Sequence, residues 1–163
     1  MTTNTPANAL HLIRMVENTI LQVPDIALRT KCVPIILFDD DVQRVGQVLM
    51  KSVQREGGLG LAAPQIGVCM RLICVMAGAQ PQLLANPEIV KKSEQTYVST
   101  EGCLSIRHGQ APFKARRHKW IKVHALDMTG KYVSIKAHDV YARALQHEID
   151  HLDGILLGDQ IVH

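Results

Sequence analysis

Apolar positions recur at helical spacing near both ends of the chain and at strand spacing between them. From His11 to Val23, Leu12, Ile13, Val16 and Ile20 fall on one helical face, which predicts a first helix that Pro24 ends. A better-marked helix is predicted from about Asp39 to Glu56. Asp39–Asp41 offer an N-cap and negative charge at the positive end of the helix dipole. Val42, Val45, Val48, Leu49 and Val53 give the apolar face, and Gly57-Gly58 stops the helix. Leu72–Met76 and Ile121–Ala125 read as strands. Asp127-Met-Thr-Gly130 reads as a turn leading into a further strand, Tyr132–Ile135. The last helix is predicted to start near Asp139, its N-cap, and to stop before Gly154. The order implies an α+β fold: mixed or antiparallel strands packed around a central C-terminal helix, with a helical N-terminal region.

Composition narrows the picture. A chain of 163 residues with 47% hydrophobic and 20% charged positions fits one globular domain with a packed core. Aromatics are only 4%, so that core rests on aliphatic side chains. The net charge of +3 is spread along the chain. Its densest cluster, Lys114, Arg116, Arg117, His118 and Lys119 beside Trp120, lacks the interleaved aromatics of a nucleic-acid platform and reads as a solvated strand-and-loop face. No basic flank precedes an apolar run at the N-terminus, and the apolar stretch 57–79 is broken by Pro64, Gln65, Arg71 and glycines, so neither a signal peptide nor a membrane span is expected. Cys32, Cys69, Cys74 and Cys103 read as reduced thiols. The first three lie beside apolar residues and read as packing positions.

The last helix carries candidate chemistry. His147-Glu148-Ile149-Asp150-His151 puts two imidazoles at i and i+4, one above the other, able to meet one tetrahedral ion. Glu148, rotated by about 100°, is poorly turned to serve as a ligand but near enough to act as a general base on water. Leu145, Ile149 and Leu152 form an apolar stripe that embeds the helix, and two unpartnered buried imidazoles would be costly. A catalytic site needs a third protein ligand and an open position. Cys103 in Glu101-Gly-Cys-Leu-Ser105, His124, His138 and nearby acids are candidates; a single loop cysteine read alone is more often a packing residue. Gly58-Leu-Gly-Leu-Ala-Ala-Pro-Gln65 permits close backbone approach and ends in one amide, and it lacks the pattern of a phosphate loop.

Taken together, Gly58–Gln65, Glu101–Ser105 and Gln146–Gly154 resemble the three ordered motifs of the peptide deformylases, G-x-G-L-A-A-P-Q, E-G-C-L-S and Q-H-E-x-D-H-L-x-G. The resemblance runs from about Thr19 through Ile161. It implies a catalytic domain over 18–163 after an extension of 1–17. It implies one divalent metal on Cys103, His147 and His151, with Fe²⁺ the family's usual ion and Zn²⁺, Ni²⁺ or Co²⁺ compatible with the same ligands. The implied reaction is hydrolysis of N-formylmethionine on nascent polypeptides, releasing formate. Glu148 would carry the proton, while the Gln65 amide and the Leu104 backbone N–H would donate to the oxyanion. Leu59, Gly60 and Gly102 would hold an added substrate strand. Glu101, Asp150 and Arg117 would form a supporting charge cluster, with Arg116 competing for the arginine position.

The implied setting is a bacterial cytoplasm, an organelle or a virus-encoded copy, with work near the ribosomal exit tunnel, no membrane and no direct nucleic-acid role. The chain departs from the family after Cys103-Leu-Ser-Ile, where Arg107-His108-Gly109 replaces the usual proline and alters the expected substrate groove. A zinc endopeptidase would recruit a ligand downstream of the helix, where only His163 remains. A structural metal site would need a fourth ligand, for which His138 is the nearby candidate.

Overall fold

The computed structural model describes residues 19–106 and 113–160. Helix α1 (Asp40–Glu56) begins because the Asp39 side chain accepts hydrogen bonds from the amides of Asp41 and Val42, both at 3.1 Å. It ends because Gly57 turns left-handed at φ 65°, returning its N–H to the Val53 carbonyl. Strands β1 (Gly60–Ala62), β2 (Leu72–Ala77), β3 (Gln80–Lys92), β6 (Trp120–Leu126) and β7 (Tyr132–His138) form an antiparallel sheet in the order β1-β2-β3-β6-β7. Strands β4 (Thr96–Glu101) and β5 (Phe113–His118) form a separate antiparallel pair. Helix α2 (Asp139–Leu152) closes the described chain with a 3₁₀ turn at Leu157–Gln160.

The sheet separates two cores. Side chains alternate across β2, so Ile73 and Val75 join the α2 side with Leu145, Ile149 and Leu152, while Leu72 and Cys74 join the α1 side with Val45, Leu49 and Val53. That double burial explains the uninterrupted apolar run Leu72–Val75. The Asp127 carboxylate accepts from the Thr129 and Lys131 amides, and Gly130 at φ 80° completes the β6–β7 turn.

Three expectations are corrected. The first helix does not reach Val23: residues 19–23 are not helical, Leu21 and Val23 bond to the Gln65 and Ser105 carbonyls, and Val23–Pro24 is a cis peptide. Positions 11–18 lie outside the described residues. The N-cap of α2 is His138, not Asp139, and it makes no side-chain capping bond. Asp139 itself sits at φ 48°, tied by its N–H to the Lys119 carbonyl and by its own carbonyl to the Tyr97 hydroxyl. Tertiary bonds from β4 and the β5–β6 turn thus override local capping. Cys69 is exposed rather than packed, while Cys32 and Cys74 are buried. All ladders between named strands are antiparallel; an isolated bridge, Val33 with Met70, is parallel.

Candidate metal centre and active site

Helix α2 presents His147 and His151 with ring centroids 5.0 Å apart. The turn after β4 brings Cys103 to them, and one donor atom from each of the three residues lies within 4.8 Å of the others. A tetrahedral ion with bonds of ~2.0–2.3 Å keeps its ligands ~3.3–3.6 Å apart. Cys103 Sγ stands 3.3 Å from His151 Nε2, so this pair already has tetrahedral spacing, and His147 completes a set within 4.8 Å. Among the described residues no fourth ligand joins them. His138 is exposed at the far end of α2, and His124 lies on β6 against Tyr132.

The electrostatics also call for a cation. His147 Nδ1 sits 3.0 Å from Glu101 Oε2; with that carboxylate ionised, Nδ1 carries the proton and Nε2 is free to ligate. Burial would push His147 down, yet hydrogen bonds with Cys103 and Glu101 and the nearby Glu148 charge draw it up to about 10. The same negative surroundings favour a divalent ion. His151 is pushed down to about 3 by burial and then by its neighbour His147, so it keeps a lone pair to donate.

Glu148 is buried, and its Oε2 has no hydrogen-bond partner. Burial pushes its carboxyl up to about 7 against the lowering pull of His147 and Arg117. It lies against Gly60: a Cβ built there would stand 2.6 Å from Glu148 Oε1. The absence of a side chain at Gly60 is therefore what lets β1 approach the Glu148 carboxylate. Gly60 pairs with Val75, while the Leu59 carbonyl accepts the Met76 amide at 2.8 Å. By strand alternation Gly60 turns its own N–H and C=O to the open sheet edge. The Leu59 carbonyl is thus already used within the sheet. Gly102, exposed in the turn after β4, has open space around it.

Gln65 is buried in the 3₁₀ turn after β1. Its Oε1 accepts the Ala62 amide at 2.8 Å; its Nε2 donates to Ser105 Oγ at 3.1 Å and lies 3.7 Å from Cys103 Sγ. One N–H is thus anchored and the other faces the Cys103 sulfur. Leu104 is half-buried, and its carbonyl accepts from Gln22 Nε2 at 2.9 Å.

Arg117 forks onto Glu101 through Nε at 2.9 Å and Nη2 at 3.0 Å, and reaches Asp150 Oδ2 through Nη1 at 2.6 Å. Burial opposes the Glu101 charge, but hydrogen bonds from His147 and Arg117 outweigh it and bring its carboxyl down to about 2. Arg116 points to solvent beside Thr96. Arg107 and His108 lie outside the described residues, as does His163.

The polypeptide deformylase family profile matches residues 17–163. The chain belongs to the polypeptide deformylase family. It is 42% identical to the peptide deformylase of Thermomicrobium roseum over 158 residues, covering 90% of this chain and 87% of the relative. It is likewise 42% identical to that of Thermodesulfovibrio yellowstonii over 147 residues, covering 87% of each. The solved deformylase of Thermotoga maritima superposes with a TM-score of 0.84 at 34% identity, covering 88% of this chain and 97% of that one. The α+β expectation holds in that likeness. Deformylases are metal-dependent hydrolases that remove N-formyl groups from nascent polypeptides, and this chain is one of them. No helix among the described residues is long and apolar enough to cross a membrane.

Three residues of this deformylase site escaped sequence reasoning as participants. Ser105, fully buried, anchors Gln65. Gln146 clamps both backbone groups of His118. Gln22 ties the N-terminal strap to the ligand turn. Ser105 and Gln146 lie inside the motifs themselves, which was their signal; Gln22 carried none.

Proposed function

We propose that Cys103, His147 and His151 hold one divalent ion and that Glu148 moves the proton in formyl hydrolysis. When bound, the ion supplies Lewis acidity, polarising the formyl carbonyl and acidifying water. Glu148 accepts the water proton on its carboxylate and delivers it to the departing peptide nitrogen; burial without a hydrogen-bond partner on Oε2 leaves that carboxylate unspent for the transfer. The Gln65 Nε2–H and the Leu104 backbone N–H donate to the oxygen that gains charge. Such a donor is typically worth roughly 2.7–4 kcal/mol in the transition state. The peptide adds as a strand to the open edge at Gly60 and passes Gly102, with Leu59 contributing its remaining N–H and side chain rather than its carbonyl. Glu101, Arg117 and Asp150 keep the ligand turn and α2 in register.

The observation that carries this reading is the unpartnered Glu148 carboxylate oxygen beside three converging donor atoms. Residues 18–163 form the catalytic domain and 1–17 its extension, a division supported by the family profile beginning at 17. Fe²⁺ is the working ion on the ground of the family resemblance; the thiolate-imidazole donor set itself accepts Fe²⁺, Zn²⁺, Ni²⁺ and Co²⁺. The substrate emerges from the ribosome, so the enzyme works beside the exit tunnel in a bacterial-type cytoplasm.

Formate release from formyl-Met-Ala-Ser by anaerobically purified protein tests the reaction, and elemental analysis of the same sample tests the ion. Glu148→Gln is expected to lose activity by roughly 10²–10⁴-fold while keeping its metal. Equal rates for wild type and variant would sink the assignment of Glu148. Co-sedimentation with ribosomes tests the place of action.

A further inference from the structure

The mechanism uses Cys103, and Cys74 is enclosed in the α1-side core. Cys32 and Cys69 remain, and they belong together. Cys32 lies in the strap that precedes α1, and Cys69 in the turn that precedes β2. Val33 and Met70 pair in parallel register, so Cys32 and Cys69, each one residue earlier, are register neighbours. Paired strands run ~4.8 Å apart, inside the ~4.4–6.8 Å Cα separation that a disulfide spans. Both thiols also turn to the same stretch of backbone. Cys32 Sγ lies 3.9 Å from the Thr30 carbonyl and Cys69 Sγ 3.5 Å from the Lys31 carbonyl. After burial, the neighbouring Cys69 thiol is the next influence that holds the Cys32 thiol up, as expected of two sulfurs brought side by side.

Their place in the fold gives the pair a purpose. The Cys32 amide donates to the Leu152 carbonyl at the last residue of α2. From the other arm, Arg71 donates to that same carbonyl and pairs with Asp153 at 2.7 Å. The two cysteine arms therefore meet beneath the C-terminal end of the helix that carries His147 and His151.

We propose that Cys32 and Cys69 are a redox-responsive clasp, closed by a peroxide, that locks the N-terminal strap to the turn before β2 under the end of α2. Exposed Cys69 reacts first: its thiolate sulfur attacks one peroxide oxygen, the O–O bond breaks, and water leaves after protonation, giving a sulfenic acid. The Cys32 sulfur then attacks the Cys69 sulfur. The S–S bond forms, the S–O bond breaks, and a second water carries away the Cys32 proton. Two thiols lose two electrons and one hydrogen peroxide becomes two waters. The division of labour follows from burial, which pushes the Cys32 thiol up to about 12, so it waits as a thiol while Cys69 meets the oxidant. The closed loop would contain α1, β1 and Gln65.

The test uses the full chain loaded with Ni²⁺, treated with hydrogen peroxide and followed by thiol titration after denaturation, intact mass, peptide mapping and thermal melting. The expected result is loss of two of the four thiols, a mass lower by two hydrogens and a Cys32–Cys69 cross-linked peptide. Melting temperature should rise by roughly 5–10 °C, and dithiothreitol should reverse every change. Cys69→Ser, a substitution at an exposed site, should abolish the cross-link and the melting shift while leaving formate release unchanged. In Cys32→Ser, a sulfenic-acid trap should label Cys69. A sulfinic acid at Cys69 with Cys32 still free, a cross-link to another cysteine, or a disulfide that leaves the melting temperature unmoved would each overturn the clasp.

Discussion

The two sides of the proposed metal centre are built differently. On the helix side, His147, Glu148 and His151 follow one another along α2, and helix geometry alone fixes their relative positions. On the loop side, Cys103 and Leu104 occupy a turn with no ladder of its own, and tethers must fix them. Gln65 holds Ser105, Gln22 holds the Leu104 carbonyl, the Val23 amide holds the Ser105 carbonyl, and Arg117 holds Glu101. On the proposed assignment, a helix supplies two ligands and a base from one local rule. A loop supplies one ligand at the cost of several long-range bonds, so damage to the loop side should arise from distant substitutions as readily as from near ones.

The largest expected effect comes from Cys103→Ala, which removes the one ligand proposed for the loop side among the described residues. Bound metal, measured after gel filtration, should fall from about one equivalent per chain to near zero, since a bidentate imidazole pair lacks the third bond of a catalytic site. Retained stoichiometric metal would show that the helix side suffices.

Arg117→Ala comes next. It leaves the Glu101 carboxylate buried without its fork, a loss of roughly 3–5 kcal/mol, and melting temperature and metal content should fall together. The same pair sets an acid limit. Glu101 is held down at about 2 from an ordinary 4.5, so its stabilisation is fully present above about 4.5 and is lost as pH falls toward 2. Melting temperature should therefore drop more steeply with acidification in the wild type than in Arg117→Ala; parallel slopes would refute the linkage.

Gly60→Ala targets the seam between the two sides. Its Cβ must displace Glu148, so formate release should fall about 10–100-fold, of the order known for angstrom-scale misplacement of reacting groups, with the melting temperature nearly unchanged. The smallest effect belongs to Gln22→Ala, which removes one tether worth about 0.5–1.5 kcal/mol. Activity should decline severalfold through kcat, with KM held.

The helix side was legible because periodicity exposes it. The i, i+4 histidines, the apolar stripe and the Asp39 cap of α1 are local signals, and each lies where local physics puts it. β3 was hidden because Pro81, Asn86 and Pro87 look like breakers. Yet Pro81 pairs in register with Met76, the strand absorbs Asn86 and Pro87 through a register shift, and Asn86 at φ 49° clamps both backbone groups of Ile35. The basic cluster was read as a solvated face, whereas β5 alternates, burying Ala115 and Arg117 and exposing Lys114 and Arg116. Only a partner strand and an acidic pair on other elements reveal why one arginine goes inside. The α2 cap failed for the same reason: Asp139 is positioned by Lys119 and Tyr97, which no local window contains.

The open edge of β1 has a consequence for solubility as well as for catalysis. An unpaired strand edge is a template on which other chains can nucleate aggregates. β1 spans only three residues, Gly60–Ala62, and the Ala62 amide is already taken by Gln65. An intruding strand could make hardly more than the bonds Gly60 offers, too few to seed a growing ladder. On the proposed reading, a peptide with its formyl end seated at Glu148 gains a second anchor that an arbitrary strand lacks. The brevity of the edge thus works as a filter, admitting a guest held at two points and shedding one held at a single point.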